Sequence, residues 1–428
     1  MTLPTKAPHS SQDRLDLLYN LSQAFNSSLD LDEVLNRVID EVIVVTQAER
    51  GFVMLHDDQG KLVFRVARGI DQTTISDPVF QVSISVVKGV ARDGQPVLTG
   101  DAQMDPRFSM RQSVKLLGLR SILCVPLKVK EQILGIVYVD NRIQAGIFTP
   151  ADLDLLSAIA SSAAIAIENA RLYQVAVEKG RLEQELQMAR QLQSSLLPST
   201  TPQVSGWEFA ARWLPARQVA GDYYDFIPIR AGKLGLVIAD VSDKGMSAAL
   251  FMALTRSTVR ACMDNTAEPM EGMTCANHLI FADSINSMFV TLFYALIDPQ
   301  ENRITYVNAG HNPPLLYQPD KSPQKGRLSY LGRTGMALGI WPDSLYQQET
   351  LSFNPGDFLV MYTDGVTDTM DVEENFFGTE KLEQVVMENA HETASAAQMV
   401  KAIEQAVENF SQSPDRFDDI TLLVVKRL

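Results

Sequence analysis

The chain has 428 residues, 46% of them hydrophobic and 21% charged. That composition is ordinary for globular protein, and the length implies more than one core. The formal net charge of -15 argues against nucleic acid and anionic membrane as partners, since both need a basic surface. The three cysteines, Cys124, Cys262 and Cys275, include no C-x-x-C pair. Neither a zinc knuckle nor a disulfide framework is expected, and a reducing compartment is the natural reading.

No stretch of about 18 or more apolar residues appears, so no transmembrane helix is expected. Met1 to Gln12 is polar and lacks the apolar centre of a signal peptide. Residues 1–13 read as a disordered tail of a cytoplasmic protein.

A helix is expected over Leu15 to Phe25, and a second after Asp30, which is suited to cap it. Val34, Leu35, Val38, Ile39 and Val42 repeat there at helical spacing. The period then changes. Gly51 to Leu55 and Leu62 to Val66 flank Asp57-Asp58-Gln59-Gly60, a hairpin pattern. Further strands are expected at Gln81 to Ser85, Ser121 to Val129 and Ile133 to Asp140. A closing helix places Leu153, Leu156, Ile159, Ala160, Ala163 and Ile167 on one face.

Helix pair, antiparallel sheet and closing helix define an α+β domain over residues 14–170. Its order of elements, with Arg120-Ser121-Ile122-Leu123-Cys124-Val125-Pro126-Leu127 and Leu134-Gly135-Ile136-Val137-Tyr138-Val139, resembles a GAF sensor domain. The resemblance implies a small-molecule ligand between the sheet and the connection from Val86 to Leu119. The Asn-Lys-Phe-Asp-Glu signature of cyclic-nucleotide-binding relatives is missing, and no cysteine is placed for a bilin. A purely structural dimerisation unit is the alternative.

Residues 171–198 continue the helix as a linker. A heptad runs through Leu172, Val175, Lys179, Leu182, Leu186, Ala189, Gln193 and Leu196, with Lys179 and Gln193 as polar core positions that would fix register in a parallel homodimer. Leu197-Pro198 ends it.

A second domain is expected over residues 199–428. Its strands are Trp207 to Trp213, Tyr223 to Ile229, Lys233 to Ala239, Phe289 to Ile297, Arg303 to Asn308, Pro314 to Tyr317, Glu349 to Phe353, Phe358 to Tyr362 and Ile420 to Val425. Hairpin turns are expected at Arg230 to Gly232, Asp298 to Asn302 and Asn354 to Asp357. Helices are expected at Met246 to Met263, Met270 to Ser287, Thr379 to Asn389 and Ala394 to Phe410. Grouped helices and hairpin-linked strands point to two antiparallel sheets covered by helices.

Carboxylates recur at the strand ends: Asp222, Asp240, Asp364 and the pair Asp418-Asp419. Each alone reads as a turn or cap residue. Together, without histidine or cysteine beside them, they suit hard divalent cations. No C-x₅-R phosphate loop and no P-loop motif is present.

Gly221-Asp222, Ala239-Asp240-Val241-Ser242, Phe289-Val290-Thr291-Leu292, Asn308-Ala309-Gly310-His311-Asn312-Pro313-Pro314, Tyr362-Thr363-Asp364-Gly365 and Asp418-Asp419-Ile420-Thr421 resemble the PPM family of metal-dependent serine/threonine protein phosphatases. The branch is the stage-II-sporulation-E-like one, and the likeness runs from about Leu186 to Leu428. It implies a β-sandwich flanked by helices, with a site for two Mn²⁺ or Mg²⁺ ions whose water attacks phosphoserine or phosphothreonine. Carried over by motif, Asp222 holds one metal directly or through water. Asp240 bridges both, the Val241 carbonyl adds a ligand and Asp364 holds the second metal. Either Asp418 or Asp419 completes the set, alignment with the family favouring Asp418. Arg217 matches a phosphate-binding arginine of some relatives, a surface arginine being the alternative. His311 reads as structural or as an acid-base helper. Asp225, Asp243 and Asp368 read as outer-shell or solvent-facing. The implied substrate is a phosphorylated anti-sigma-factor antagonist. The competing readings are a catalytically inactive GAF-containing binding module and a nucleotide cyclase suggested by Gly221-Asp222-Tyr223-Tyr224-Asp225-Phe226. Against the cyclase stand the downstream acidic motifs.

Overall fold

The computed structural model describes residues 11–71, 73–75, 82–108, 112–284, 287–320, 326–391, 393–413 and 416–428. The chain divides into two compact units, one ending at Leu182 and the next starting at Glu183. Each is described by itself.

The first unit opens with α1 (Ser11–Phe25). The helix takes in the last residues of the expected 1–13 tail, whose remainder lies outside the described residues. In α2 (Leu31–Thr46), the Asp30 carboxylate accepts the Glu33 N–H at 2.9 Å, so the cap is as expected. β1 (Arg50–His56) and β2 (Leu62–Gly69) form the anticipated hairpin. β4 (Ser121–Val129) and β5 (Gln132–Asn141) form another, and β3 (Val97–Thr99) is an edge strand. The sheet order is β2-β1-β5-β4-β3.

The period of two along each strand sorts the apolar side chains onto two faces. Val53, Leu55, Leu123, Val125, Val137 and Val139 join a core with α2 and the start of α5 (Pro150–Leu196). Phe52, Met54, Ile122, Cys124, Ile136 and Tyr138 join a second core with α3 (Ile84–Asp93) and with Val114 of the short α4 (Gln112–Leu116).

The strand expected at Gln81 to Ser85 is not formed by its described residues. Ser83 is the N-cap of α3, and Val86, Val87 and Val90 carry a helical face into the core. A short apolar run fits either period, and burial on one side decides it. α5 is a single 47-residue helix. By length and composition it alone, among the described residues, could cross a membrane. Its Leu156, Ile159, Ala160, Ala163 and Ile167 are instead buried in the first core.

In the second unit, the two sheets have five antiparallel strands each. One has the order β13-β10-β9-β8-β7: β7 (Tyr223–Pro228), β8 (Leu234–Val241), β9 (Val290–Asp298), β10 (Arg303–Ala309) and β13 (Glu349–Ser352). The other has the order β12-β11-β14-β15-β6: β6 (Trp207–Leu214), β11 (Leu315–Pro319), β12 (Gly326–Tyr330), β14 (Phe358–Tyr362) and β15 (Ile420–Arg427). All nine expected strands form, and β12 is additional.

Leu236, Ile238, Phe293 and Ile304 meet Leu316, Leu359, Met361 and Leu423 in the core between the sheets. Burying such a side chain contributes about 1.5–3 kcal/mol. The opposite face of the first sheet is covered by α6 (Met246–Asn265) and α7 (Pro269–Asp283). That of the second is covered by α9 (Gly378–Asn389) and α10 (Ala396–Ser411). Ser395 and Gln398 form a capping box at the start of α10, which sets its first residue two beyond the expected Ala394.

Two expectations are corrected here. Asn354 to Asp357 is not a hairpin turn, because β13 pairs with β10 and β14 with β11 and β15. The turn carries the chain from one sheet to the other. Cys262 of α6 and Cys275 of α7 form a disulfide, with Cα atoms 5.9 Å apart. No short sequence spacing announces the pair; the packing of the helices creates it. The disulfide also removes the basis for inferring a reducing compartment.

Candidate active site

The strand-end carboxylates meet at one end of the sandwich, drawn from both sheets. Asp222 immediately precedes β7 and Asp240 is the penultimate residue of β8. Asp364 starts the short α8 (Asp364–Thr367) after β14, and Asp418 and Asp419 precede β15. Two glycines allow the turns to close. A β-carbon at Gly221 would lie 3.0 Å from the Val241 carbonyl oxygen, and one at Gly365 would lie 2.0 Å from the Asp419 carbonyl oxygen.

Asp222 is buried, and its Oδ2 accepts hydrogen bonds from the Thr363 and Thr421 hydroxyls, each at 2.7 Å. Thr363 N–H in turn donates to the Thr421 carbonyl at 3.1 Å. These threonines, one before Asp364 and one after Asp419, were not singled out in the sequence. In the sequence they stand inside the Tyr362–Gly365 and Asp418–Thr421 motifs with no role of their own attached.

Asp418 and Asp419 differ in what they touch. Asp419 accepts the Ala216 N–H at 2.8 Å through Oδ1 and the Gly221 N–H at 2.9 Å through Oδ2. It thereby pins both ends of the turn that carries Arg217, whose own side chain is exposed. Asp418 accepts the Asp419 N–H at 2.9 Å through Oδ1 and the Lys244 ammonium at 2.8 Å through Oδ2.

Burial and mutual repulsion raise the carboxylate pKa values. Asp222 is pushed well up, by burial first and then by Asp240 and Asp419. Asp240 rises to about 7, by burial and then by Asp364 and Asp418. Asp364 rises to about 6, by burial and then by Asp418 and Asp368. Among the described residues, no three histidine, cysteine or acidic side chains are placed so that together they could hold a metal ion. The donor set nonetheless fits a hard divalent cation. It consists of hard carboxylate oxygens without histidine or cysteine, crowded closely enough to raise one another's pKa values.

His311 is buried, and its imidazole is held neutral by burial, with a pKa lowered to about 3. Its Nδ1 lies 2.9 Å from the Thr291 hydroxyl, and Thr291 pairs with Asp240 in the sheet. Its surroundings therefore suit bracing of β9 against the site rather than proton transfer. Asp225 is fully buried rather than solvent-facing, and is paired with Arg256 at 3.2 Å and with Arg260 Nη2 at 2.6 Å, both on α6. Asp243 and Asp368 are exposed.

Gln193 is not a coiled-coil core position. It is buried near the end of α5, where its Nε2 donates to the Ala220 carbonyl at 2.7 Å and its Oε1 accepts the Ala220 N–H at 3.0 Å. Leu197 is buried in the core beneath α6, and the Tyr224 hydroxyl donates to the Pro198 carbonyl at 3.2 Å. The linker's end is thus built into the second unit, two residues from Asp222.

The family model of stage II sporulation protein E (SpoIIE) matches residues 230–428, and a GAF domain model matches residues 28–168. The phosphoserine phosphatase RsbU of Bacillus subtilis (strain 168) is 32% identical over 247 residues, spanning 58% of this chain and 71% of RsbU. The chain belongs to the SpoIIE family of PPM serine/threonine phosphatases.

Ahead of the SpoIIE-type domain stands a GAF domain, and the fold class is the one expected: α+β, with a GAF unit, a long helix and a PPM-type sandwich flanked by helices. Protein IcfG of Synechocystis sp. (strain ATCC 27184 / PCC 6803 / Kazusa) is also 32% identical, over 281 residues. The match covers 59% of this chain and 43% of IcfG, so the chain spans less than half of that relative. Among solved structures, the SiaA-PP2C domain of Pseudomonas aeruginosa superimposes with a TM-score of 0.49 at 17% identity, covering 59% of this chain and 99% of that one.

Proposed function

We propose that this chain is a bacterial protein phosphatase that hydrolyses phosphoserine or phosphothreonine with two Mn²⁺ or Mg²⁺ ions. The observation that carries the reading is the convergence of Asp222, Asp240, Asp364 and Asp418 from both sheets at one end of the sandwich, crowded enough to raise Asp240 to about 7 and Asp364 to about 6. Cations at such a site would supply a water of lowered pKa and positive charge for the phosphoryl oxygens.

The chain's own residues have separate tasks. Asp222, Asp240, Asp364, Asp418 and the Val241 carbonyl hold the ions. Thr363 and Thr421 orient Asp222. Asp419 shapes the turn from which Arg217 meets the phosphate with two parallel donors. The motifs leave Asp418 or Asp419 open as the remaining ligand; the two backbone bonds of Asp419 favour Asp418.

The GAF unit is the regulatory input, with a small molecule on the α3 side of its sheet as the signal. A homodimer along α5 is supported by the exposed Leu172, Val175 and Leu182. The substrate is a phosphorylated anti-sigma-factor antagonist, on the strength of the motif resemblance, and the polar start of the sequence favours a cytoplasmic setting.

The test uses the full chain with Mn²⁺ and a phosphoserine protein. Phosphate release that EDTA stops is expected, and Asp240→Asn should reduce release to background without loss of helical signal. Mn²⁺-dependent turnover retained by Asp240→Asn would remove the metal assignment. Absence of release by the unmodified chain would favour an inactive binding module.

A further inference from the structure

We propose that Lys244 is a positioning residue that orients the metal ligand Asp418 across the mouth of the site; the inference rests on the metal-dependent reading above. Lys244 lies in the turn between β8 and α6. Its Nζ donates to Asp418 Oδ2 at 2.8 Å and to the Phe417 carbonyl at 3.3 Å, and sits 4.6 Å from the centre of the Phe417 ring. A partly exposed lysine with three such contacts is held in one place.

The turn is built to aim it. Asp243 adopts φ 79° and Gly245 φ 89°. The left-handed conformation is costly for a residue with a side chain, and such strain collects at functional sites. Asp243 is kept there by its own carboxylate, which accepts the Lys244 N–H at 2.8 Å and the Ser247 hydroxyl at 3.3 Å. Since β8 belongs to one sheet and Asp418 leads into β15 of the other, the Lys244–Asp418 pair ties the two halves of the site together.

Asp418 is fixed from two sides, by the Asp419 N–H on Oδ1 and by Lys244 on Oδ2. Each carboxylate oxygen has two lone pairs, so neither contact blocks a cation. Charge favours the same role. Asp222, Asp240, Asp364, Asp418 and Asp419 carry five negative charges when ionised, two divalent ions supply four positive ones, and Lys244 offsets the remainder. Partners outside the ligand set tune metal affinity in this way, and their loss typically weakens it 10–100-fold.

The test is calorimetric titration of Mn²⁺ into the metal-free full chain, comparing the unmodified protein with Lys244→Met, Lys244→Gln and Lys244→Arg. In the Met and Gln variants the weaker of the two Mn²⁺ binding events should lose about 10-fold or more in affinity, with the tighter one little changed. Arg, which keeps the charge, should recover most of the loss. Unchanged affinity in the Met and Gln variants would overturn the proposal, and so would tighter binding, which would make Lys244 a competitor of the metal. If the unmodified chain binds no Mn²⁺, the metal reading falls, and the role of Lys244 with it.

Discussion

Asp240 and Asp364 have pKa values raised to about 7 and about 6, by burial first and then by neighbouring carboxylates, Asp364 and Asp418 for the one and Asp418 and Asp368 for the other. In the unfolded chain both would titrate near 3.9. Between those values the native state binds more protons than the unfolded one, so stability falls as pH rises. The metal-free protein should therefore melt at a lower temperature at pH 8 than at pH 5. Mn²⁺ must displace those protons, so it should raise the melting temperature more at pH 8 than at pH 5. Thermal melts at the two pH values, with and without Mn²⁺, check both signs. A metal-free protein that is more stable at pH 8 would mean that these carboxylates are not crowded as described.

The end of α5 acts at the scale of an element. Gln193 gives both of its amide atoms to the Ala220 backbone, and Asp222 is two residues further on. Gln193→Leu puts an apolar side chain of similar size on the helix and strips Ala220 of both partners. A buried donor or acceptor left without a partner costs about 1–3 kcal/mol, so the SpoIIE-type domain should unfold at lower denaturant. Hydrogen exchange at Ala220 to Asp222 should accelerate as well. Unchanged protection there would show that the helix end does not brace this turn.

Gln193 marks the limit of what spacing can convey. Every residue of the expected heptad lies on one face of an ideal helix, and spacing cannot say what that face meets. By contrast, the strands were legible, because alternation and turn residues such as Arg230 to Gly232 act locally. The carboxylates were legible only as a recurring pattern with an accompanying motif. Thr363, Thr421 and Lys244 were not legible, since their roles come from contacts with residues more than 50 positions away in the chain. The edge strand β12 was missed for a related reason: its residues are exposed or half-buried, so no apolar alternation marks it.

At the scale of the whole molecule, a 47-residue helix is about 70 Å long. Along it, Leu172, Val175 and Leu182 are all about half exposed or more, at 57%, 60% and 48%. Apolar side chains at this spacing fit pairing with a second copy. The full chain should sediment as a dimer, and Leu172→Asp combined with Leu182→Asp should sediment as a monomer with its secondary structure intact. An unmodified chain that remains monomeric at micromolar concentration would exclude α5 as the dimer contact.

The position of β15 bears on how the enzyme is made. Among the described residues it is the last strand in sequence, yet it lies between β14 and β6, where Arg427 pairs with Trp207. Two members of its sheet cannot be joined until residues 420–427 arrive, and pairing over such a separation is slow. Asp418 enters with the same segment. During synthesis the GAF unit is therefore finished long before the carboxylates can meet. A growing chain therefore completes the core of its GAF domain before the two halves of the acidic cluster can be brought together.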